Sequence, residues 1–407
     1  MRWDIINRIA DIYGAKSYLE IGIGTKENLY KIKCPKKIGV DPLKTLRPDR
    51  CCTSDEFFRD NKERFDIIFI DGLHHKAQVI KDIENALKAL TEKGTIVVHD
   101  CNPTSEAMQA VPRIQGEWTG DVWKAWQYIR AKYDNLSMCV LDTDYGVGVI
   151  RKGKQPAFTE IAETYQQFDE HRKLILNLQH YEIPPISVCI PAFEQYGYGA
   201  QTLTECLESV INQEGEFEII VSDNSDSDII RKVCDRYPVA YYHNPKKGIS
   251  ANTNFAISKA GCKNIKVLYQ DDKLLTNTAL QVFSFALLFN GWVASSGRAM
   301  NDRSQLLRFT EPKWTGENIF VKNSIGMPSV TAFRNCGLKF DEELKTLLDC
   351  DFYFNLHKEY GQPGIIKKPL VASRYWDGST SRQHGNMAAK EMPYINKKHS
   401  LNLKHER

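Results

Sequence analysis

The sequence predicts an α/β protein made of two doubly wound domains joined by a helical linker. Three observations lead there. The chain has 407 residues, more than one hydrophobic core usually organises. Apolar runs of strand length alternate with amphipathic helical stretches, and run after run ends in a carboxylate, the pattern of a parallel sheet covered on both faces. The alternation stops at Pro184-Pro185, which cannot continue a helix, and then begins afresh. The expected division is therefore 1–153, a linker 154–184 and 185–407. Within the linker, Ile161, Tyr165, Phe168, Leu174, Ile175 and Leu178 recur at helical spacing, which predicts a helix over about 158–180. Such a helix either bridges the domains or packs on the first sheet.

The first half opens with a helix carrying Ile5, Ile6, Ile9 and Ile12. A strand, Ser17 to Ile21, runs into Gly22-Ile23-Gly24 and a second helix. Glycines there let a ligand approach the backbone, and the helix start offers unpaired N–H groups. A dinucleotide fingerprint would place its third glycine where Glu27 stands, setting a carboxylate against a pyrophosphate. Glu20 precedes the first glycine, and the next strand ends in Asp41, which can take both hydroxyls of a ribose. The pattern favours adenosine without a pyrophosphate. A third strand ends in Asp71 and leads to Gly72-Leu73-His74-His75; a helix follows over 76–90; the strand 94–98 ends in His99-Asp100. Sites of open α/β sheets form at such carboxyl ends.

With Glu20-Ile21-Gly22-Ile23-Gly24, Ile70-Asp71-Gly72-Leu73-His74 and His99-Asp100 in these places, residues 1–153 resemble class I S-adenosylmethionine-dependent methyltransferases, specifically the small sugar O-methyltransferase-like branch. Residues 117–124 and 144–148 look like that branch's closing segment. The resemblance implies a Rossmann-like domain in which Glu20, Gly22 and Gly24 line the methionine end of the cofactor. Asp41 would hold the ribose, and Ser54-Asp55 would lie near the adenine. Asp71 and Asp100 would hold Mg²⁺, and His74 would be the base. His99 departs from the branch, which often has a second aspartate there. Trp118 and Trp123 suit a sugar-stacking lid or plain packing.

In the second half, Ile186-Ser187-Val188-Cys189-Ile190-Pro191-Ala192-Phe193 is a strand end, a helix spans 201–213, and the strand 218–225 ends in Ser222-Asp223-Asn224-Ser225. A loop from Gly248 enters a helix, and the strand from Ile265 runs into Gln270-Asp271-Asp272. Adjacent carboxylates at a buried strand end are costly unless a cation sits there, and a divalent ion bridging a diphosphate answers that. These segments, with 326–334, 340–344 and Leu348-Asp349-Cys350-Asp351, resemble family 2 glycosyltransferases of the GT-A fold over nearly all of 185–385. The resemblance implies Pro191 and Phe193 beside the nucleotide, Asp223 on its base, and Asp271 and Asp272 on the ribose and on Mg²⁺ or Mn²⁺. Asp349 would be the general base of an inverting displacement. His384 would help hold the metal or diphosphate, and Arg374 and Arg382 would neutralise the leaving group. Gln270 departs from the family, which usually has an acid there.

Bulk properties agree with a globular enzyme. The chain is 42% hydrophobic and 26% charged, and its net charge of +3 implies no large nucleic-acid surface. The 11 cysteines form no CxxC pair, which points to reduced thiols. The opening Met1-Arg2-Trp3-Asp4 has no apolar segment of a leader, and the longest apolar run, 279–294, is broken by Gln281, Ser284 and Asn290. Together these predict a cytoplasmic protein, and the two resemblances imply small-molecule donors and a glycan or sugar acceptor. The basic tail, with Lys390, Lys397, Lys398, Lys404 and Arg407, reads as solvated or as a peripheral contact to anionic membrane. The expected function is a bifunctional enzyme of glycan or polysaccharide biosynthesis, transferring a sugar from a nucleotide-diphosphate sugar, such as a UDP-sugar, and a methyl group from S-adenosylmethionine. The competing readings are a catalytically inactive recognition domain in one half, or a nucleotide-linked oxidoreductase in the first.

Overall fold

The computed structural model describes residues 1–375 and 387–404. The chain divides into two compact units, Met1–Glu182 and Ile183–Arg407.

The first unit has seven strands: β1 (Ser17–Ile21), β2 (Lys36–Val40), β3 (Phe65–Ile70), β4 (Leu90–Val98), β5 (Leu136–Leu141), β6 (Val147–Lys152) and β7 (Leu178–Gln179). They lie in the order β2-β1-β3-β4-β6-β5-β7. The first four are mutually parallel and β6 is antiparallel to both neighbours. Between β2 and β3 the chain recrosses β1, so the order reverses beside β1, where open sheets bind ligands. Helices α1 (Arg2–Tyr13), α2 (Glu27–Lys31), α3 (Ser54–Asp60), α4 (Lys76–Ala89) and α5 (Val122–Lys132) connect or flank the strands. No strand forms between β2 and α3; a single parallel bridge, Val40 to Arg50, stands there.

The expected linker is part of this unit. Its helix, α6 (Tyr165–Leu176), is shorter than the predicted 158–180. A capping box between Thr164 and Gln167 starts it, and Asn177 in the left-handed region (φ 46°) ends it. The chain then adds β7 to the sheet edge, parallel to β5. Phe168, Ile175 and Leu176 are fully buried. The Phe168 ring lies 4.5 Å from that of Trp123, and Arg130 donates to the carbonyls of Leu174 and Ile175 at 2.6 and 2.7 Å. Of the two readings of this apolar stripe, the second describes it: the stripe serves the first sheet's core.

The second unit contains β8 (Ile186–Ala192), β9 (Phe217–Asp223), β10 (Ala240–His243), β11 (Asn264–Val267), β12 (Lys273–Leu274), β13 (Trp292–Met300), β14 (Leu306–Thr310), β15 (Thr331–Arg334) and β16 (Gly364–Arg374). Their order is β10-β9-β8-β11-β15-β13-β16-β12, with β14 paired to β13. The run β10-β9-β8-β11 is parallel, and β15 is antiparallel to β11 and β13. Its helices are α7 (Gly199–Ile211), α8 (Ile229–Cys234), α9 (Ile249–Ser258), α10 (Ala279–Leu287), α11 (Leu348–Tyr360) and α12 (Met387–His399). The basic tail differs from its expected solvated state: α12 buries Met392 and Ile395, and Lys398 bonds Asp341 and Asp351. Among the described residues, no helix is long and apolar enough to cross a membrane.

Phe168→Ala would remove a fully buried ring. It should destabilise the first unit by about 3–5 kcal/mol, read as an earlier tryptophan-fluorescence transition in urea, with the second unit's transition unmoved.

Candidate functional site

Each unit gathers acids at the carboxyl ends of its parallel strands. In the first, β1 ends beneath Gly22, whose φ of 80° and tight approach to the Asp71 carbonyl exclude any side chain; a Cβ would sit 2.2 Å from that oxygen. Gly24 has φ 44° and open space where a side chain would be. The Ile23 and Leu43 backbone N–H groups donate to Asp41 at 3.2 and 2.9 Å, fixing that acid between the two loops. Glu20 is 1% exposed. Tyr18 Oη and Asn28 Nδ2 donate to its Oε2 at 2.5 and 2.9 Å. Burial nevertheless pushes its pKa up to about 7. Gln78 Nε2, on α4, donates to Ser54 Oγ, Asp55 Oδ1 and Asp82 Oδ1 at 3.0–3.1 Å, which ties the start of α3 to α4.

The ends of β3 and β4 converge. His74 Nε2 lies 3.2 Å from Asp71 Oδ1 and its Nδ1 3.3 Å from Asp100 Oδ2. Asp71, His74 and Asp100 offer ligand atoms all within 4.8 Å of one another, a donor set that fits a divalent cation. His99 stands 3.4 Å from Asp71, 3.1 Å from Asp100 and 3.5 Å from Asp144. Burial opposes charge on His99, yet these carboxylates raise its pKa well above the ordinary value. Burial likewise opposes ionisation of Asp71, but His99 and His74 hold it well below the carboxylate range. Trp118 stacks on His74 with ring centroids 5.3 Å apart. Trp123, by contrast, is fully buried against Phe168 and belongs to the core, not to a lid.

Two members of this cluster were not foreseen. Asp144 follows β5 with φ 50°, and the Arg2 backbone N–H donates to its Oδ2 at 2.9 Å. The Arg2 guanidinium, from the first residue of α1, reaches 3.4 Å from Asp144 and 4.0 Å from Asp71. Asp144 carried the same cue as its neighbours, an acid just past a strand. Arg2 carried none, because only tertiary packing brings α1 to the sheet's end.

In the second unit, β8 and β9 pair so that Pro191 opposes Ser222 and Ala192 opposes Asp223. Asp223 is fully buried; Ser225 N–H and Tyr241 Oη each donate to it at 2.8 Å. Gln270 accepts from Phe193 N–H at 2.5 Å and donates to Phe193 O at 2.9 Å. An amide can do both and an ionised carboxylate cannot, so the departure from the family pattern clasps the loop after β8. Phe193 itself remains 45% exposed.

Asp272 is 1% exposed. Arg374 N–H donates to its Oδ1 at 2.8 Å, while Oδ2 is buried with no hydrogen-bond partner among the described residues. Burial, then the neighbouring Asp271, raises its pKa. The buried cation acting on it, Lys266, is itself pushed down to about 7 by burial. An orphaned carboxylate oxygen beside a second acid fits a divalent cation. The expected role of Arg374 on a leaving diphosphate does not hold: its guanidinium donates to Asp271 O, Asn301 O, Asp302 O, Glu205 and Ser304. Asp349 opens α11, and burial alone raises its pKa to about 8. Its charge acts on the Tyr269 phenol, just before Asp271-Asp272, which links the base candidate to the acid pair. Asp351, two residues on, is buried against Lys398 and His399 at 2.9 and 2.7 Å. His384 and Arg382 lie outside the described residues.

Two α/β units, each with acids gathered at the carboxyl ends of its parallel strands, fit a two-domain group-transfer enzyme. The family model described as a methyltransferase domain matches residues 44–101, and that of glycosyl transferase family 2 matches residues 187–286. The chain thus carries a segment that matches a methyltransferase domain, followed by one that matches glycosyl transferase family 2. No curated protein matches it. Similar solved structures include S. aureus TarS 1–349 with UDP, at 19% identity over 47% of this chain and 61% of that one, TM-score 0.38. The same fragment with UDP-GlcNAc matches at 19% identity over 48% and 60%, TM-score 0.39. The chain thus spans about 60% of those structures' length.

Gly22→Ala would force a Cβ against the Asp71 carbonyl at a left-handed φ. It should weaken S-adenosylhomocysteine binding by roughly tenfold or more, about 1.4 kcal/mol, measured by calorimetry, while UDP binding stays unchanged.

Proposed function

We propose that the second domain transfers a sugar from a UDP-sugar to an acceptor hydroxyl with inversion, and that the first methylates a sugar hydroxyl, as steps in building one methylated glycan. The observation that carries the first part is the pairing of the half-satisfied, buried Asp272 with Asp349, a carboxyl raised to about 8 with no competing hydrogen bond among the described residues. Pro191 and Phe193 flank the nucleotide, Asp223 takes its base and Asp271 its ribose. A Mg²⁺ or Mn²⁺ ion on Asp272 would neutralise the diphosphate. Asp349 takes the proton of the acceptor hydroxyl as its oxygen bonds the anomeric carbon and the bond to the diphosphate breaks.

In the first domain, S-adenosylmethionine supplies an electrophilic methyl group. Glu20, Gly22, Gly24, Asp41 and the Ser54-Asp55 turn form its cradle. His74 accepts the hydroxyl proton at one ring nitrogen, while of the flanking Asp71 and Asp100 the carboxylate on the other nitrogen orients the imidazole. The same two acids would hold Mg²⁺, which lowers the pKa of a bound sugar hydroxyl. Covalent fusion keeps the product of one step near the other. That coupling is sunk if the separated domains act on unrelated acceptors.

The proposal is tested first by thermal shift of the intact protein with S-adenosylhomocysteine and with UDP. Each alone should stabilise, by about 2.7 kcal/mol at a hundredfold excess over Kd, and the UDP effect should grow with Mn²⁺. Silence toward either ligand class would leave that domain a non-catalytic module.

The pH profile follows from Asp349. Its folded pKa lies above that of a free carboxyl, so the basic form appears only as pH rises toward about 8. Glycosyl transfer should rise about tenfold per pH unit below that value and then level off. Folding is opposed wherever the unfolded carboxyl is ionised, so Asp349→Asn should lose transfer yet be more stable than wild type at pH 9. Initial rates and denaturant midpoints across pH 6 to 9 check both.

A further inference from the structure

We infer that α12 (Met387–His399) positions the acceptor-side base, with Glu391 setting the entry of α11 so that Asp349 is held at the reacting centre. The inference rests on the reading of Asp349 as that base.

Asp349 is the second residue of α11, and no group among the described residues hydrogen-bonds its carboxylate. Burial is the sole influence on its pKa. Its place is inherited from the backbone that carries it. That backbone has no cap of its own: Leu347, at the helix start, makes no side-chain cap bond. Three consecutive N–H groups lead in, and all three donate to one distant carboxylate. Lys345 N–H reaches Glu391 Oε1 at 2.7 Å, Thr346 N–H reaches Oε2 at 3.2 Å, and Leu347 N–H reaches Oε2 at 2.9 Å. Glu391 is 8% exposed. Successive N–H groups curled around an anion form a strong local electrostatic contact, and it ends two residues before Asp349.

The same helix grips α11 a second time. His399 Nε2 lies 2.7 Å from Asp351 Oδ1 and Lys398 Nζ 2.9 Å from Asp351, whose side chain is wholly buried. The His399 ring stacks on Phe320 and meets Phe354 edge-on, at 5.5 and 4.9 Å. So the first turn of α11 is held from both sides of Asp349 by residues spaced eight apart on one helix. A misplacement of about 1 Å at a reacting group can cost roughly 100-fold in rate. Only a fixed α11 start gives Asp349 a defined position.

The test uses the full chain with a UDP-sugar and its acceptor. Glu391→Ala removes all three bonds. It should lower kcat for glycosyl transfer roughly 10- to 100-fold, leaving donor KM within about twofold and methyl transfer unchanged. Glu391→Gln keeps the volume and one acceptor oxygen and should fall in between; it carries the same test if the alanine variant melts below the assay temperature. Tyr394→Phe, which loses a bond to Asp341 on the exposed side, should match wild type. In an Asp349→Asn background, Glu391→Ala should cause no further loss, because it acts through Asp349. Wild-type kcat in both Glu391 variants, or equal losses with and without Asp349, overturns the positioning role. Full activity of Asp349→Asn alone removes the base assignment and the inference with it, and so marks that failure apart.

Discussion

Much of this protein follows from one constraint: a carboxylate at the end of a buried parallel strand loses its water and must be compensated. Both sheets place acids there, and the two domains compensate them differently. In the methyltransferase, the charge is met from within. Arg2, His74 and His99 surround Asp71, Asp100 and Asp144, and the histidines beside Asp71 and Asp144 hold those two acids ionised despite burial. In the glycosyltransferase, Asp223 is satisfied by Tyr241 and Ser225, but Asp272 and Asp349 are left short. The uncompensated positions are those where the proposed function would place a cation and an acceptor hydroxyl.

Backbone architecture at both sites serves to keep such acids close. Asp100, Asp144 and Tyr145 all hold left-handed backbone, with φ of 60°, 50° and 58°. Cys101 and Asn102 N–H groups donate to the carbonyls of Gly146 and Tyr145, locking the two loops to each other. Strained residues of this kind persist only where the surroundings over-determine them. In the second domain, Arg374 does comparable work. Its backbone holds Asp272, and its side chain joins the Asp271 turn, the 301–304 turn and Glu205. Gln270 anchors the loop after β8 in turn. The acids of this site are thereby held in place by internal hydrogen bonds, which limits the reorganisation needed on binding a ligand.

What could be read from the chain alone was local. Strand-then-acid is a two-feature pattern, and it found Glu20, Asp41, Asp71, Asp100, Asp223 and Asp272 because period and chemistry coincide within a few residues. The same pattern covers Asp144, which lies within the segment 144–148. Trp123 was ambiguous for a physical reason. An indole can stack on a sugar or fill a core, and only the position of Phe168, 45 residues later, decides between them.

The sequence by itself determined the fold class, the order of the domains and which acids stand at the strand ends, since alternation, capping and strand-end residues act over short separations. Tertiary structure decided where each compensating charge comes from. Arg2 reaches Asp144 across 142 positions, Glu391 reaches Lys345 across 46, and α6 joins the first core instead of spanning between domains. Burial and pairing energies depend on distance in space, and separation along the chain carries no record of it.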